Sequence, residues 1–484
     1  MKRCLMLSAA AWTAMTVAAL AGTRHVVPAG TEGNVPAAPY ETWETAANDL
    51  RDALAVAQMG DEILVRPGVY AVTEQIAVTA KNLTIRSCDP VTGAPDRDGT
   101  VFDGSGLSGE AAGMFTVAAG VAGVTLDGLT LRNSPVGGLS CPSSPRTHVL
   151  NCAFTGNTAN GASGGGAYIS GNGAVVSNCL FEANRAARIS GRGGNGGGLY
   201  MPGNEQTRGY VVDCVFRGNE AEASGGHVAA TKAVTLASCT FTGTAGSNYG
   251  GVLTYAEGSA LVVSNCTFTG LTVARGANAL LEFRSAALLA GCSFTNMPGG
   301  SVTANACLIL RGGPFELDVR NCLFASLAGT PVVYAFGRYA DVSARVKFEN
   351  CTVDAVGSDI AKARDSEPGY TTVSCSTNEW TNCILLCSIP SSSPEHANFF
   401  RSCHTDGDPG FVNPAGGDWS LRRSSPCRDQ GEMLPWMDAA AVDLAGNPRV
   451  VADGVTLVRN PAALPDIGCY ENQEAPRGSC LIIR

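Results

Sequence analysis

Three arginines lie close together in one glycine-rich stretch of the chain. Arg185, Arg188 and Arg192 fall within residues 185–196, between two segments of β-strand character. Guanidinium groups bind carboxylates and sulfates through paired hydrogen bonds, so a loop that displays three of them suits an acidic glycan. The alternative is a solvated loop whose arginines serve solubility. We take this loop as the candidate glycan-binding site.

The acidic residues and histidines show no catalytic or metal-binding pattern. Calcium-dependent lyase chemistry needs acidic ligands on neighbouring repeats and a basic residue to take the proton. Between residues 137 and 300 the acids do not share one position of the repeat; they are Glu182, Glu205, Asp213, Glu220, Glu222, Glu257 and Glu282. The five histidines are scattered, whereas zinc sites group them. The sequence therefore predicts no catalytic residue, no metal and no cofactor.

Nine similar short segments predict the elements that position this loop. Each has a polar residue or glycine, then Cys, any residue, and Phe or an aliphatic residue. The cysteines are Cys152, Cys179, Cys214, Cys239, Cys266, Cys292, Cys322, Cys351 and Cys383, spaced 25 to 35 residues apart. In an extended strand Cys and the apolar residue two positions later face one side. Repeats of this length bury that side only by stacking, which predicts a solenoid of parallel strands.

The chain has 19 cysteines, which in an exported protein usually indicates disulfides. The nine ladder cysteines keep a constant offset to an apolar residue, as small core residues do, and stacked side chains point in parallel directions. We expect most of them to be reduced. The disulfide candidates lie in the irregular C-terminal part, with pairing that is not readable: Cys375, Cys387, Cys403, Cys427, Cys469 and Cys480.

The N-terminus has the pattern of a secretory signal peptide. Lys2 and Arg3 precede an apolar stretch that ends at the small-residue site Ala19-Leu20-Ala21. Without these two basic residues the chain has 31 basic and 42 acidic side chains, a net charge of −11, which argues against a nucleic-acid partner. We expect a secreted or cell-surface protein with no transmembrane span after cleavage.

Several segments after the signal resemble the opening of pectate-lyase-like right-handed parallel β-helix proteins. Residues 45–58 carry apolar residues at helical spacing, and Gly60-Asp61-Glu62-Ile63-Leu64-Val65-Arg66-Pro67-Gly68-Val69-Tyr70 follows. Asn82-Leu83-Thr84-Ile85-Arg86 and Val101-Phe102-Asp103-Gly104 continue the likeness. The resemblance implies that the helix caps the first coil, which an open solenoid end requires.

A second motif recurs in residues 154–253, where Asn157, Asn184 and Asn219 each follow a rung and each precede a Gly-Gly pair. This motif is similar to the repeats of chlamydial polymorphic outer-membrane proteins, which are surface adhesins. Asn at a coil corner can adopt the left-handed conformation and bond to its stacked equivalents, while paired glycines permit a sharp return into the next strand. No run of alternating strands that would suit a translocating barrel follows.

The C-terminal part resembles the choice-of-anchor Q module of exported bacterial β-helix proteins. Its five pieces occur in order, beginning with Asp408-Pro409-Gly410-Phe411 and ending with Asp443-Leu444-Ala445-Gly446-Asn447-Pro448-Arg449 and Asp466-Ile467-Gly468-Cys469-Tyr470-Glu471. Trp380, Trp419 and Trp436 offer rings that can stack on sugars, but we expect at least two of them to pack this module.

These observations predict an all-β, single-stranded right-handed parallel β-helix of about a dozen coils, with a cap helix and a small irregular C-terminal module. The predicted parts are a signal peptide (1–21), an extended segment and cap helix (22–60), the β-helix (61–400), the C-terminal module (401–472) and a tail (473–484). The expected function is non-catalytic adhesion or glycan binding by a monomer, with a polysaccharide or host-surface glycan as partner. The alternative is a lyase or glycoside hydrolase acting on an acidic polysaccharide.

Overall fold

The computed structural model describes residues 21–108, 113–202, 208–231, 233–244, 252–254, 261–272, 279–283, 286–297, 306–311, 315–336, 342–363, 374–389, 396–438, 440–449 and 464–473. Apart from one residue each, the predicted signal peptide and tail lie outside these ranges. The described chain is mostly β-strand, in three long parallel sheets that we name A, B and C.

Sheet A has 14 strands in the described chain: Thr23–Val26, Glu62–Val65, Thr84–Ser87, Thr125–Asp127, His148–Leu150, Val175–Ser177, Gly209–Val212, Val234–Ala237, Leu261–Ser264, Ala287–Ala290, Phe315–Arg320, Val342–Glu349, Ser374–Thr381 and His396–Arg401. Sheet B has 12 strands in the same ranges: Gly68–Ala71, Thr100–Asp103, Thr130–Arg132, Ala153–Thr155, Leu180–Glu182, Val215–Arg217, Thr240–Thr244, Thr267–Thr272, Ser293–Thr295, Leu323–Ala325, Thr352–Asp359 and Ile384–Ser388.

Sheet C has 11 described strands: Ile76–Val78, Phe115–Val117, Leu139–Cys141, Ala167–Ile169, Leu199–Met201, Val228–Ala230, Val252–Thr254, Ala279–Phe283, Ala306–Arg311, Val333–Phe336 and Ala361–Ala363. A small sheet D contains Thr158–Asn160, Arg185–Ile189, Arg192–Gly193 and Glu220–Ala221. The helix α1 spans Leu50–Val56, and Gly104–Gly106 and Pro414–Gly416 are 3₁₀ turns. Phe411–Asn413 and Asp418–Leu421 form an antiparallel pair.

Each coil passes through sheets A, B and C in that order. One coil runs from His148–Leu150 in sheet A through Ala153–Thr155 in B to Ala167–Ile169 in C, and the chain then returns to sheet A at Val175–Ser177. The strands of successive coils pair in parallel and in register. The fold is a right-handed parallel β-helix, so the predicted fold class is confirmed.

The corner between sheets A and B is a single residue in the left-handed conformation. Asn151 and Asn178 both have φ of 52°, and the first residue of every later rung has a similar value: Asp213, Ser238, Asn265, Gly291, Asn321, Asn350 and Asn382. Few side chains tolerate this conformation, and Asn, Asp and Gly are among the best. The corner therefore explains the residue type that opens each rung.

Inside the coil, Cys and Phe form two parallel columns, as the alternation predicts. Seven phenylalanines stack with centroids 4.6 to 5.0 Å apart and ring planes within 8°; they are Phe154, Phe181, Phe216, Phe241, Phe268, Phe294 and Phe324. All nine ladder cysteines are buried free thiols. Burial raises the pKa of the Cys179 and Cys214 thiols.

The assignment of Cys375, Cys387 and Cys403 to the irregular C-terminal part was wrong, because Cys375 and Cys387 lie on the β-helix strands Ser374–Thr381 and Ile384–Ser388. The amide of His404 donates to the carbonyl of Cys383 at 2.9 Å, so Ser402 and Cys403 continue the ladder as a tenth rung. The sequence hides this rung because His404 and Thr405 replace the usual x-Phe, and the coil is short. Cys427 and Cys469 are buried in the C-terminal module as free thiols. The side chains of Cys375 and Cys480 lie outside the description.

The N-terminal cap differs in detail from the predicted helix of residues 45–58. The helix α1 covers only Leu50–Val56, because Asp49 caps its start by accepting from the Arg51 amide at 2.8 Å. Ala47 instead exchanges backbone hydrogen bonds with the strand that contains His25. Leu50 and Ala53 are buried against the first coil.

The C-terminal module packs on the outer face of sheet B. Trp419 and Leu421 join a buried cluster with Leu323 and Ile384, and the Trp419 indole donates to Asp354 at 2.7 Å. The rung residues Asn321, Asn350 and Asn382, whose equivalents elsewhere face solvent, hydrogen-bond to this module and are buried. The module thereby closes the last part of one sheet face to solvent.

One buried arginine connects the module's two final sequence pieces. Arg449 is fully buried and lies 3.4 Å from Glu471 and 2.9 Å from the side-chain oxygen of Asn321. The Glu471 amide donates to Asp443, which ties the start of the first piece to the end of the second. Burial, reinforced by Asp466, raises the pKa of Glu471 to about 9, and Arg449 opposes this shift.

Candidate functional site

Two tyrosines stand side by side on the outer face of sheet C. Tyr168 and Tyr200 occupy paired positions of adjacent strands, with ring centroids 5.5 Å apart and planes at 66°. Both alternate with buried residues: Ala167 and Leu199 point into the core. Ser140 precedes the pair along the sheet and Ala229 follows it. Two half-buried rings on a flat strand pair form a shallow aromatic surface, which we name the tyrosine face.

Glycine turns bring the chain tightly against this face. Gly164 and Gly196 have φ of 76° and 62°, and a Cβ at Gly196 would lie only 2.8 Å from the Cβ of Tyr200. Any larger residue would push the turn away from the ring. The turns are also linked across coils, because the Asn195 amide donates to the Ser163 hydroxyl at 3.2 Å.

A row of buried asparagines supports these turns from inside the coil. The side-chain NH₂ of Asn157 donates to Asn184 at 3.1 Å, and that of Asn184 donates to Asn219 at 3.0 Å. A Cβ at Gly166 would lie 3.2 Å from Asn184 Cγ, so the glycine leaves room for the amide. The predicted stacking is confirmed, but the corner prediction was wrong: the preceding residues Gly156, Ala183 and Gly218 have positive φ, and these asparagines are buried.

His227 closes the end of the asparagine row. Its Nδ1 lies 3.2 Å from the Asn219 amide nitrogen, which has hydrogens to donate, so Nδ1 is the acceptor and Nε2 bears the proton. Nε2 is buried without a hydrogen-bond partner in the described structure. Burial lowers the pKa of His227 to about 3. The imidazole is therefore neutral at ordinary pH and acts as a structural group.

The burial of His227 predicts an acid-sensitive stability. In the unfolded chain its pKa is near 6.5, so unfolding takes up a proton between about pH 6.5 and pH 3, and stability falls as pH falls through this window. The loss is about 1.4 kcal/mol per pH unit, or roughly 2–3 kcal/mol from pH 6.5 to 4.5. Urea unfolding at both pH values should show a smaller acid loss for His227→Gln than for the wild type. Equal losses would contradict the burial of a neutral imidazole.

The arginine loop is a β-hairpin beside the tyrosine face. Arg185–Ile189 pairs with Arg192–Gly193 in antiparallel fashion, and Ser190 and Gly191 at the turn have φ of 50° and 80°, as tight hairpin turns require. A Cβ at Gly194 would touch Arg188 Cβ at 3.2 Å, and Gly194 is two residues from the turn that contacts Tyr200. The base of the hairpin is thus joined through Gly194 to the glycine turn that packs on Tyr200.

The three predicted arginines do not have equal roles. Arg185 is ion-paired with Glu222 and lies 3.8 Å from Glu220, so its charge is already balanced. Glu222 also accepts from the backbone amide of Arg188 at 2.8 Å, which fixes the hairpin. The side chains of Arg188 and Arg192 are exposed, and no described carboxylate forms an ion pair with them. These two guanidinium groups remain available to an anionic ligand.

The tryptophans and possible metal ligands add no second site. Trp380 is buried in the solenoid core, where it stacks on Phe348 with centroids 3.7 Å apart, and only Trp419 joins the buried cluster of the module, so the expectation that two tryptophans pack the module was wrong. Within the described ranges, His, Cys, Asp and Glu are nowhere grouped as three potential ligands of one metal ion. No helix in these ranges has the length and hydropathy needed to cross a bilayer.

Sequence reasoning missed the two tyrosines. The signal was present, because Gly165-Gly166-Ala167-Tyr168 and Gly197-Gly198-Leu199-Tyr200 place Tyr at one offset after each Gly-Gly pair. Strand alternation then puts both rings on the outer face, since Ala167 and Leu199 face inward. What the sequence does not show is that the arginine loop is a hairpin whose end leads into the turn that packs on Tyr200.

Several solved structures are similar to this chain. Among solved structures the chain is similar to the pectate lyase Pel9A, with 11% identity, a TM-score of 0.38 and coverage of 93% of this chain and 96% of that one. It is also similar to a mannuronic acid specific family 6 polysaccharide lyase from human gut microbiota, with 12% identity, a TM-score of 0.42 and coverage of 74% and 88%.

A third similar structure is the A-module of the Azotobacter vinelandii mannuronan C-5 epimerase AlgE6, with 14% identity, a TM-score of 0.37 and coverage of 74% and 93%. A search of curated protein sequences finds no match. Residues 67–241 match the family model described as a right handed beta helix region. That range contains the tyrosine face, the arginine hairpin and the asparagine row, all of which are carried by a right-handed parallel β-helix.

Proposed function

We propose that this protein is exported and binds a polysaccharide with acidic groups on the tyrosine face, without cleaving it. The observation that carries the proposal is the paired rings of Tyr168 and Tyr200 beside two exposed guanidinium groups without ion-pair partners in the described structure. Aromatic rings supply apolar contact to a sugar ring, and arginines bind carboxylates or sulfates bidentately. The N-terminal signal pattern supports a role outside the cell.

The strand spacing supports a ligand that runs along the solenoid axis. Successive coils are about 4.8 Å apart, so side chains at one register position form a row at that interval. A linear glycan offers one ring after another along its length, and it can meet both tyrosines at once. Arg188 and Arg192, at the edge of the face, would then contact the groups that project sideways.

Binding should depend on both parts of the site. In retention or titration with an acidic polysaccharide such as polygalacturonate, Tyr168→Ala/Tyr200→Ala should weaken binding at least tenfold, about 1.4 kcal/mol. Arg188→Ala/Arg192→Ala should weaken binding to acidic glycans. It should also reduce the salt dependence of binding, because the protein then has fewer charge–charge attractions to the glycan that salt can screen. Tyr210→Ala and Arg217→Ala are matched controls, since both residues are exposed on other sheets. Equal losses in the controls would refute this site.

A lyase or hydrolase is the second candidate, and one observation favours it. Glu220 and Glu222 both lie against Arg185 on sheet D, so two carboxylates and a guanidinium group lie together beside the hairpin. Acid–base chemistry on a sugar needs such a grouping. The ion pairs account for these residues as supports of the hairpin, and for that reason we favour binding. Loss of product formation in Glu222→Gln would establish the enzyme instead.

A further inference from the structure

The last cysteine of the column is less buried than the cysteines before it. The nine ladder cysteines from Cys152 to Cys383 are buried, whereas Cys403 in the tenth rung is half-buried. The chain beyond it leaves the solenoid, and Phe400 on the preceding strand is 40% exposed although it pairs with the fully buried Trp380. Among the described residues, the last thiol of the column is therefore the one that small solutes reach.

Cys383 and Cys403 are neighbours on paired coils. The His404 amide donates to the Cys383 carbonyl at 2.9 Å, and the Asn382 amide donates to the Arg401 carbonyl at 3.1 Å. Residues paired in this way have Cα atoms about 4.8 Å apart, which is within the range that a disulfide spans. Both thiols have the same orientation, because each Sγ lies 3.2 to 3.3 Å from the carbonyl oxygen two residues earlier. A bridge therefore requires one side chain to turn toward the other, and the half-buried Cys403 has the room to do so, unlike the buried cysteines of the other rungs.

We propose that Cys383 and Cys403 form a thiol–disulfide exchange site, at which a small external disulfide is reduced and the last coil becomes covalently closed. Nothing in this proposal depends on glycan binding. The two cysteines lie at the end of the β-helix opposite the cap helix, and neither belongs to the tyrosine face.

The exchange proceeds in two balanced steps. The Cys403 thiolate attacks one sulfur of the external disulfide, the S–S bond of that reagent breaks, and one small thiolate leaves and takes up a proton. The Cys383 sulfur then attacks Cys403 Sγ, and the second small thiolate leaves with the Cys383 proton. Two protein thiols are oxidised to one disulfide, and the external disulfide is reduced to two thiols. No other oxidant is needed.

The column geometry favours the second step. Exchange requires the attacking, central and leaving sulfurs to lie nearly in line. Cys403 is the last thiol of the column and only half-buried, so a group attached to it can lie on the side away from Cys383. Its contact with Cys383 lowers the pKa of Cys403, while burial raises the pKa of Cys383, so Cys403 is the thiol that attacks first.

A deeper pair supplies an internal control for accessibility. Cys239 and Cys266 are also adjacent, with the Cys239 amide 3.4 Å from Cys266 Sγ, but both are buried in the middle of the solenoid. If exchange needs only adjacency, this pair should oxidise as readily as Cys383 and Cys403. If it needs the open end, the deeper pair should stay reduced while the protein remains folded.

The test uses the full reduced chain, incubated under native conditions with oxidised glutathione. Remaining thiols are then alkylated in denaturant, and peptides are mapped by mass spectrometry. We expect a Cys383–Cys403 bridge in the wild type and in Cys387→Ser, an accumulated glutathione adduct on Cys403 in Cys383→Ser, and neither product in Cys403→Ser. An adduct that persists in the wild type, an unreacted Cys403, a Cys387–Cys403 bridge, or equal oxidation of Cys239 and Cys266 would overturn the proposal.

Discussion

Replacing Phe241 with alanine is expected to lower the free energy of unfolding by about 3–5 kcal/mol. Phe241 is fully buried in the phenylalanine column, with its centroid 5.0 Å from Phe216 and 4.8 Å from Phe268. Truncation removes both stacking contacts and leaves a cavity that the flanking rigid strands cannot fill. Coils of a solenoid contact only their neighbours, so the loss concentrates at this point of the stack.

Thr242→Ala is the matched control for Phe241→Ala. Thr242 is on the same strand but faces outward, so its substitution should change stability by no more than about 0.5 kcal/mol. Urea unfolding followed by circular dichroism measures both variants. A loss below about 1 kcal/mol for Phe241→Ala, or equal losses for the two, would mean that the phenylalanine column does not support the fold.

Replacing Arg449 with methionine should release the C-terminal module from sheet B. The substitution leaves the Asn321 side-chain oxygen and the Gly468 carbonyl without their donor and removes the cation beside Glu471. Each buried acceptor left without its donor costs about 1–3 kcal/mol, and Glu471, with its pKa of about 9, is protonated at neutral pH and leaves no charge behind. The effect should be local, because Arg449 contacts one rung, while the coils before it are held by their own columns.

Limited proteolysis with peptide mapping detects this release, and Trp419 fluorescence reports the same event from inside the interface. Arg422→Met, an exposed change in the same module, should leave both readouts unchanged. Faster cleavage inside the solenoid rather than the module would contradict this role of Arg449.

The β-helix was predictable because the residues that repeat are those that the core and the corners of each coil restrict to a few types. Cys and Phe recur at one offset since both columns face the core, and Asn, Asp, Ser or Gly opens each rung since the corner needs a positive φ. Cys403 escaped recognition because its rung lacks the aromatic partner, although the backbone continues the ladder. The helix α1 is shorter than its apolar period because Asp49 caps it internally.

The candidate site was predictable only in part. The clustered arginines in an insertion indicated a binding loop. The sequence did not show that Arg185 forms an ion pair with Glu222, which lies 37 residues further along the chain and is brought close by the register of the coils. The asparagine row was expected to stack, yet its burial depends on the glycines that leave room above it. The tyrosines carry no chemical signature in sequence, because an outward Tyr on a strand is common and only its neighbours give it a role.

Whether the tyrosine face binds or cleaves a polysaccharide is tested most directly by one measurement on the purified protein. Acidic and neutral polysaccharides are incubated with it, and each is assayed for retained protein and for new reducing or unsaturated ends. We predict retention on an acidic polysaccharide without new ends, and loss of that retention in Tyr168→Ala/Tyr200→Ala. Release of products that is abolished by Glu222→Gln, or retention unaffected by loss of both tyrosines, would contradict the proposed function.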